Sequence, residues 1–229
     1  MAVQPVPAAA VEVLQLKQHF SMDTQNNNSS DSKSLLIVFA KNPEKGKVKT
    51  RLAKTVGNYK ALQVYKKLLR ITKSITDQLN ISKQIWYSRF IDDDDIWSDG
   101  SYEKHLQKGT NLGLRMQHAF NKAFTDGYQK VVVIGSDCSS LTPEMIKDSF
   151  QALEKNQAVI GPASDGGYYL LGMSGLYPSV FENKAWSTSS VFEETISEFE
   201  EMNLSYKQLP VLNDIDTAED LKNSNLITD

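Results

Sequence analysis

The chain lacks the features that would place it in several large classes of protein. It has one cysteine, Cys138, so no internal disulfide can form and no cage of thiolates can hold a metal. Its three histidines, His19, His105 and His118, show none of the spacings of a histidine metal site. No apolar run approaches the ~20 residues that span a bilayer. The N-terminus has no basic segment leading into an apolar one, so no signal peptide is expected and the cytoplasm is the default location. Neither sign of charge dominates. With 25 Lys and Arg against 28 Asp and Glu, the formal net charge is -3, and nothing global favours nucleic acid or an anionic membrane as partner.

What remains is an ordinary globular composition, 40% hydrophobic and 23% charged over 229 residues. That suits one domain with a sizeable core, with or without an appendage. Residues 1–33 differ from the rest. They begin Pro/Ala-rich, hold a stretch, VEVLQLKQHF, able to form about three helical turns, and end in the polar MDTQNNNSSDSKS. We therefore divide the chain into an appendage with linker, 1–33, and a single domain, 34–229.

From Leu35 onward, apolar runs of strand length alternate with amphipathic segments of helical period. LLIVFA, IWYS, KVVVIGS, QAVIGPA and GYYLLGM read as strands and SYKQLPVL as a last extended segment. Helices are expected over 58–80, over LGLRMQHAFNKAF, over TPEMIKDSFQAL capped by Thr142 with Pro143 in its first position, over SSVFEETISEFEEM capped by Ser189 or Ser190, and over AEDLKN capped by Thr217. This alternation predicts an α/β fold with a mostly parallel sheet covered on both faces. Ligands of such sheets bind beyond the carboxyl ends of the strands, so the residues that follow each strand carry the functional question.

The first strand runs into AKNPEKGKVKTRL. This is not a Walker A loop: the first glycine is missing, and Gly46-Lys47 is followed by Val48 where a magnesium-binding hydroxyl belongs. Lys41, Lys45, Lys47, Lys49 and Arg51 nonetheless leave a short segment together, and a guanidinium can clamp phosphate with two hydrogen bonds. The segment is a phosphate cradle or a solvated basic turn, and its place after a buried strand favours the former. The third strand ends in GSDCSSLTP, where Asp137 could ligate Mg²⁺ or Mn²⁺ through oxygen or cap a turn before the helix. Cys138 reads as a small buried residue. Between the fourth and fifth strands, Asp165-Gly166-Gly167 is a strong turn signal that also lets backbone approach a ligand. Near the end, Asp214 and Asp216 alternate. In extended chain only one of them faces a given site directly. The acidic run Asp92 to Asp95 reads as a solvated loop, and His118 as structural.

The segments FAKNPEKGKVKTRL, NLGLRMQHAF, VVVIGSDCSSLTP, GPASDGGYYLLGM, AWSTSSVFEET and NDIDTAEDL occur in this order. Together they resemble bacterial transferases of the radical-SAM/selenodomain-associated type, within the nucleotide-diphospho-sugar transferase superfamily with its Rossmann-like, glycosyltransferase-A fold. The resemblance spans about Leu35 to Leu221. It implies that Lys41, Gly46, Lys49 and Arg51, with Arg115, hold the nucleotide and its phosphates. It implies Asp137, Asp216 and Asp214 as a site for Mg²⁺ or Mn²⁺, with Asp137 and Asp165 in catalysis. It places Gly166, Gly167, Tyr168 and Trp186 on the acceptor side. Leu114 and Ser139 depart from the pattern, which usually has an acid and a proline there. The implied partners are a nucleotide sugar or nucleoside triphosphate and a small-molecule acceptor. Glycosyl transfer is the leading expectation. Nucleotidyl transfer, as in phospholactate guanylyltransferases, and nucleotide binding without turnover are the alternatives.

Overall fold

The computed structural model describes residues 33–224 and 226. The helix expected within 11–20, and nearly all of the expected appendage, lie outside the described residues. In chain order the elements are β1 (Ser34–Ala40), α1 (Thr50–Thr76), β2 (Ser82–Tyr87), β3 (Glu103–Leu106), α2 (Leu112–Thr125), β4 (Lys130–Ile134), α3 (Pro143–Ala152), β5 (Ala158–Pro162) and β6 (Tyr168–Met173). A 3-10 turn (Pro178–Phe181), α4 (Val191–Glu201), β7 (Tyr206–Gln208) and α5 (Ala218–Asn223) complete the fold.

The strands form one seven-stranded sheet in the order β3-β2-β1-β4-β6-β5-β7. All neighbours pair parallel except β6, which runs antiparallel to β4 and β5. From β1 the chain moves outward to β2 and β3, then returns to the other side of β1 as β4. The loops after β1 and β4 therefore diverge from adjacent strands, which is where α/β sheets open a crevice.

The apolar runs are continuous because the sheet is buried on both faces. Leu36, Val38, Val132, Ile134 and Ile85 meet Tyr65 and Leu69 of α1 and Ile146 of α3 on one face. Leu35, Ile37, Val131, Val133 and Trp86 meet Met116, Ala119 and Phe120 of α2 and Phe199 of α4 on the other. Fully burying one such large side chain stabilises by roughly 1.5–3 kcal/mol. The far side of α1 buries Leu52, Ala61, Val64 and Leu68 against Ile215 and Leu226, which ties the C-terminal segment to this helix.

Caps behave as their chemistry dictates. Thr142 accepts from the Met145 amide, and Thr217 and Asp220 form a reciprocal capping box. The helix expected over 58–80 begins where expected and runs to Thr76. A short helical stretch from Thr50 precedes it, separated by the non-helical backbone of Gly57 (φ 82°, ψ 157°), and both are counted in α1. Two other expectations need correction. Ser190 precedes α4 but caps no amide; its hydroxyl donates to Glu194 at 2.6 Å. Strand β3, EKHL, carries no apolar alternation and was not expected; it is an edge strand that pairs only with β2.

The acidic run is also more than a solvated loop. Asp95 accepts from Tyr87 Oη at 2.6 Å and from the Trp97 amide at 3.0 Å, and pairs with Lys104 at 2.9 Å. His118 is structural as expected. It packs edge-on against Trp86, on which His105 also stacks at 4.8 Å. Burial, then the Lys108 and Lys122 charges, push the His118 pKa down.

Candidate active site

Asp137 follows β4 across Gly135 and Ser136, at the carboxyl edge of the sheet. Lys49 reaches it from the end of the first loop, with Nζ 2.7 Å from Asp137 Oδ2. The same ammonium lies 3.8 Å from Asp216 Oδ1, and Arg51 donates to Asp216 Oδ2 at 3.1 Å. Four residues from three distant segments thus make one chain of alternating charge. The main-chain bond from the Ile215 amide to the Asp137 carbonyl, 3.3 Å, holds the late aspartate segment beside β4.

The burial of this group is uneven. The Lys49 side chain is 3% exposed, while Asp137 and Asp216 each keep 38% of their side-chain surface in solvent. The acids remain open to solvent, and the lysine between them is buried. Burial pushes the Asp137 pKa up, but the Lys49 and Lys41 charges and the Ser136 hydroxyl more than offset it, so the carboxyl is held below the usual range. Asp214 goes the other way. Burial, then the Asp137 charge, raise it to about 7 against the pull of Lys49, and Asp165 and Asp216 add to the rise. The Ser164 amide donates to the Leu212 carbonyl at 3.0 Å, which sets the turn between β5 and β6 beside the segment that carries Asp214 and Asp216.

The first loop is held by Tyr65 of α1. Its hydroxyl accepts from the Lys41 amide at 2.8 Å and lies 3.1 Å from both the Lys41 carbonyl and Ser136 Oγ. A single buried phenol therefore fastens the start of the loop to the residue before Asp137. Sequence reasoning missed it, because Tyr65 reads only as a core position of a helix. Asn42 adds a second tie, accepting from the Arg89 amide and donating to the Phe90 carbonyl. Lys49 is left-handed (φ 48°), which turns the chain sharply into α1. Arg51 is consequently in the first helical turn rather than in a loop. No acid of the helix itself lies in that turn, and the carboxylates of Asp137 and Asp216 stand at this amino end instead. Lys41, Lys45 and Lys47 are exposed, and no ion pair is seen for them among the described residues.

On the opposite flank, Asp165 accepts from the Gly167 amide at 2.9 Å, and the Ala163 amide closes the turn onto the Gly167 carbonyl. Gly166 has φ +87°, and a Cβ there would lie 2.0 Å from the Ser189 carbonyl oxygen, so no other residue fits. Its own carbonyl accepts from Phe192 at the start of α4. Tyr168 turns its ring to the α2 face, with Oη 3.7 Å from Met116 Sδ. Trp186 packs on Gly113 in the first turn of α2 and donates to the Phe181 carbonyl. Both are thus engaged in packing. Arg115 donates to the Gly109 carbonyl at 3.0 Å, near the ends of β2 and β3, and stands apart from the Lys49–Asp137 pair in this network. Beside Lys41, a cavity of 240 Å³ opens between α1 and the loop after β2, with Pro43, Lys66, Arg70 and Asp94 among its walls.

Among the described residues, no three carboxylate, imidazole or thiol groups lie close enough to enclose a metal ion by themselves. Asp137 and Asp216 do share one cation, the Lys49 ammonium. Two carboxylate oxygens converging on a single positive charge suit a hard divalent ion that keeps waters or takes phosphate oxygens as its other ligands.

Residues 71–188 match the family described as "Uncharacterized protein conserved in bacteria (DUF2064)", and the chain belongs to that family. A crystal structure from Desulfovibrio desulfuricans G20, assigned as a nucleotide-diphospho-sugar transferase, shares 36% identity with it. That similarity covers 85% of this chain and 89% of the other, with a TM-score of 0.78. More distant solved structures share the fold. The 4-diphosphocytidyl-2C-methyl-D-erythritol synthase of Anaerococcus prevotii DSM 20548 has 17% identity, covers 85% and 95% of the two chains, and has a TM-score of 0.56. The inositol-1-phosphate CTP transferase of T. maritima has 12% identity, covers 83% and 91%, and has a TM-score of 0.52. No curated protein matches the chain. The fold is that of the nucleotide-diphospho-sugar transferases, as the sequence resemblance implied.

Proposed function

We propose that this protein is a metal-dependent transferase that uses a nucleotide-activated donor, with a nucleotide-diphospho-sugar as its leading substrate. The observation that carries this reading is the meeting of Lys49 and Arg51 from the first loop with Asp137 after β4 and Asp216 near the C-terminus. The name borne by the relative from D. desulfuricans supports the same class.

Asp137 and Asp216 would hold Mg²⁺ or Mn²⁺, which would neutralise charge developing on the donor phosphates as the bond to the leaving group breaks. Arg51 and the exposed Lys41, Lys45 and Lys47 would attract the diphosphate into the cleft, helped by the amino end of α1. The Asp165 turn, pinned by Gly166 against α4, would present its carboxylate and main chain to the acceptor from the far flank. There Asp165 would accept the acceptor's proton.

Nucleotidyl transfer is the second reading. The number of exposed cations in the first loop favours it, since they would also suit a triphosphate. The two reactions differ in what they release. With Mn²⁺ and a panel of nucleotide sugars and nucleoside triphosphates, release of nucleoside diphosphate from a sugar donor supports glycosyl transfer, and release of pyrophosphate supports nucleotidyl transfer. Tight nucleotide binding with no product from any donor would replace both with a binding role.

A further inference from the structure

We infer that Lys49 is the resident counter-ion of the acidic pair, and that it makes divalent metal enter this site together with the nucleotide and not ahead of it. The inference rests on the proposed reading of the site and specifies how the site is loaded.

Three observations carry it. First, the Lys49 ammonium already occupies the position from which one cation touches both acids, 2.7 Å from Asp137 and 3.8 Å from Asp216. A divalent ion placed between those oxygens would sit within a few ångströms of the ammonium, and like charges at that range in a partly desolvated cleft repel strongly. Second, the described residues supply too few ligands to enclose a metal on their own. The missing oxygens have to come from water or from phosphate. Third, Lys49 is buried and paired. Its side chain is 3% exposed and its ammonium lies 2.7 Å from Asp137, so leaving the acids requires another anion to take their place. The alternative partner within its reach is a phosphate bound beside Arg51.

A nucleoside diphosphate resolves all three at once. Its oxygens complete the metal's shell, and its negative charge gives the displaced ammonium a new partner. Metal and nucleotide should therefore bind with positive coupling, each raising the affinity of the other by the same factor. Free metal alone should bind weakly.

The test measures Mn²⁺ binding from the loss of the free-ion electron paramagnetic resonance signal. The whole chain is titrated alone and with saturating nucleoside diphosphate, using whichever of UDP, GDP, ADP, CDP and dTDP binds best. Wild-type protein should bind Mn²⁺ at least about tenfold more tightly with nucleotide than without. Lys49→Met should bind Mn²⁺ alone at least about tenfold more tightly than wild type and lose most of the coupling, while Lys49→Arg keeps the weak binding of lone metal. The wild-type pair of titrations stands even if Lys49→Met fails to fold. Equal Mn²⁺ affinity with and without nucleotide overturns the inference. So does a folded Lys49→Met protein that binds lone Mn²⁺ no better than wild type. In either case nucleotide binding that persists leaves the transferase reading intact. Absence of any nucleotide binding, with or without Mn²⁺, overturns both.

Discussion

Replacing Tyr65 with phenylalanine removes one oxygen atom and leaves the packing of the ring, which is 1% exposed, as it was. That oxygen is the common partner of the Lys41 amide, the Lys41 carbonyl and Ser136 Oγ, at 2.8, 3.1 and 3.1 Å. Burial, followed by the Asp137 charge, pushes the phenol's pKa far above its ordinary value, so it keeps its proton and can donate at any working pH. The variant strands polar groups with no replacement partner. Leaving such a group unsatisfied costs roughly 1–3 kcal/mol, and Lys41 lies near enough to solvent for water to recover part of this. We expect a loss of about 2 kcal/mol. For a domain of this size, that lowers Tm by roughly 4–8 °C. Because the same atom joins the first loop to the residue before Asp137, the variant should also weaken nucleotide binding, although Tyr65 lies outside the charged network. Chemical denaturation and nucleotide titration on the same preparation are the assays. A variant within ~0.5 kcal/mol of wild type and with unchanged nucleotide affinity would refute the view that this hydroxyl fastens the site.

Other perturbations separate stability from function. Gly166→Ala sets a Cβ against the Ser189 carbonyl in a left-handed backbone. It should cost roughly 1–3 kcal/mol or shift the turn, lowering turnover more than donor affinity in steady-state kinetics. Arg51 is 65% exposed, so Arg51→Ala should change stability by no more than about 1 kcal/mol in denaturant melts while weakening diphosphate binding in a titration. Asp214 has a folded pKa raised to about 7. In the native state it holds a proton that the unfolded chain has already released. Its contribution to stability is therefore full below pH ~4 and is lost as pH rises through about 7. In chelator, Asp214→Asn should remove that loss, so its advantage over wild type grows between about pH 4 and 7 and levels off above. An advantage independent of pH would show that Asp214 does not titrate there.

Much of the fold is legible because strands buried on both faces of the sheet must be apolar throughout. The runs at β1, β4, β5 and β6 are therefore hard to mistake, and hydroxyl or Pro signals mark α3 and α5 equally well. What escaped detection has physical causes. Strand β3 is a half-exposed edge whose EKHL sequence carries no period. Gly57 reads correctly as a helix boundary, but the short helical stretch before it, from Thr50, lies in a basic segment that reads as a loop. The candidate site was legible as a set of strand ends, since Asp137 and the Lys49–Arg51 segment stand directly beyond apolar runs. The direct ion pair between Lys49 and Asp137 was not, because contacts across 88 positions leave no local trace. Tyr65 and Asp95 escaped for a related reason: a hydroxyl or carboxylate inside a core or a charge run reveals its partner only in space.

Lys49 also bears on how this chain can change. A non-glycine residue in the left-handed region, with its ammonium drawn under the surface, is held at a conformational cost of about 1–3 kcal/mol. Glycine or asparagine would sit there more comfortably. On the proposed role of Lys49 as counter-ion of the acidic pair, a relative with glycine or asparagine at this position should have relaxed the backbone and given up the coupling between metal and nucleotide.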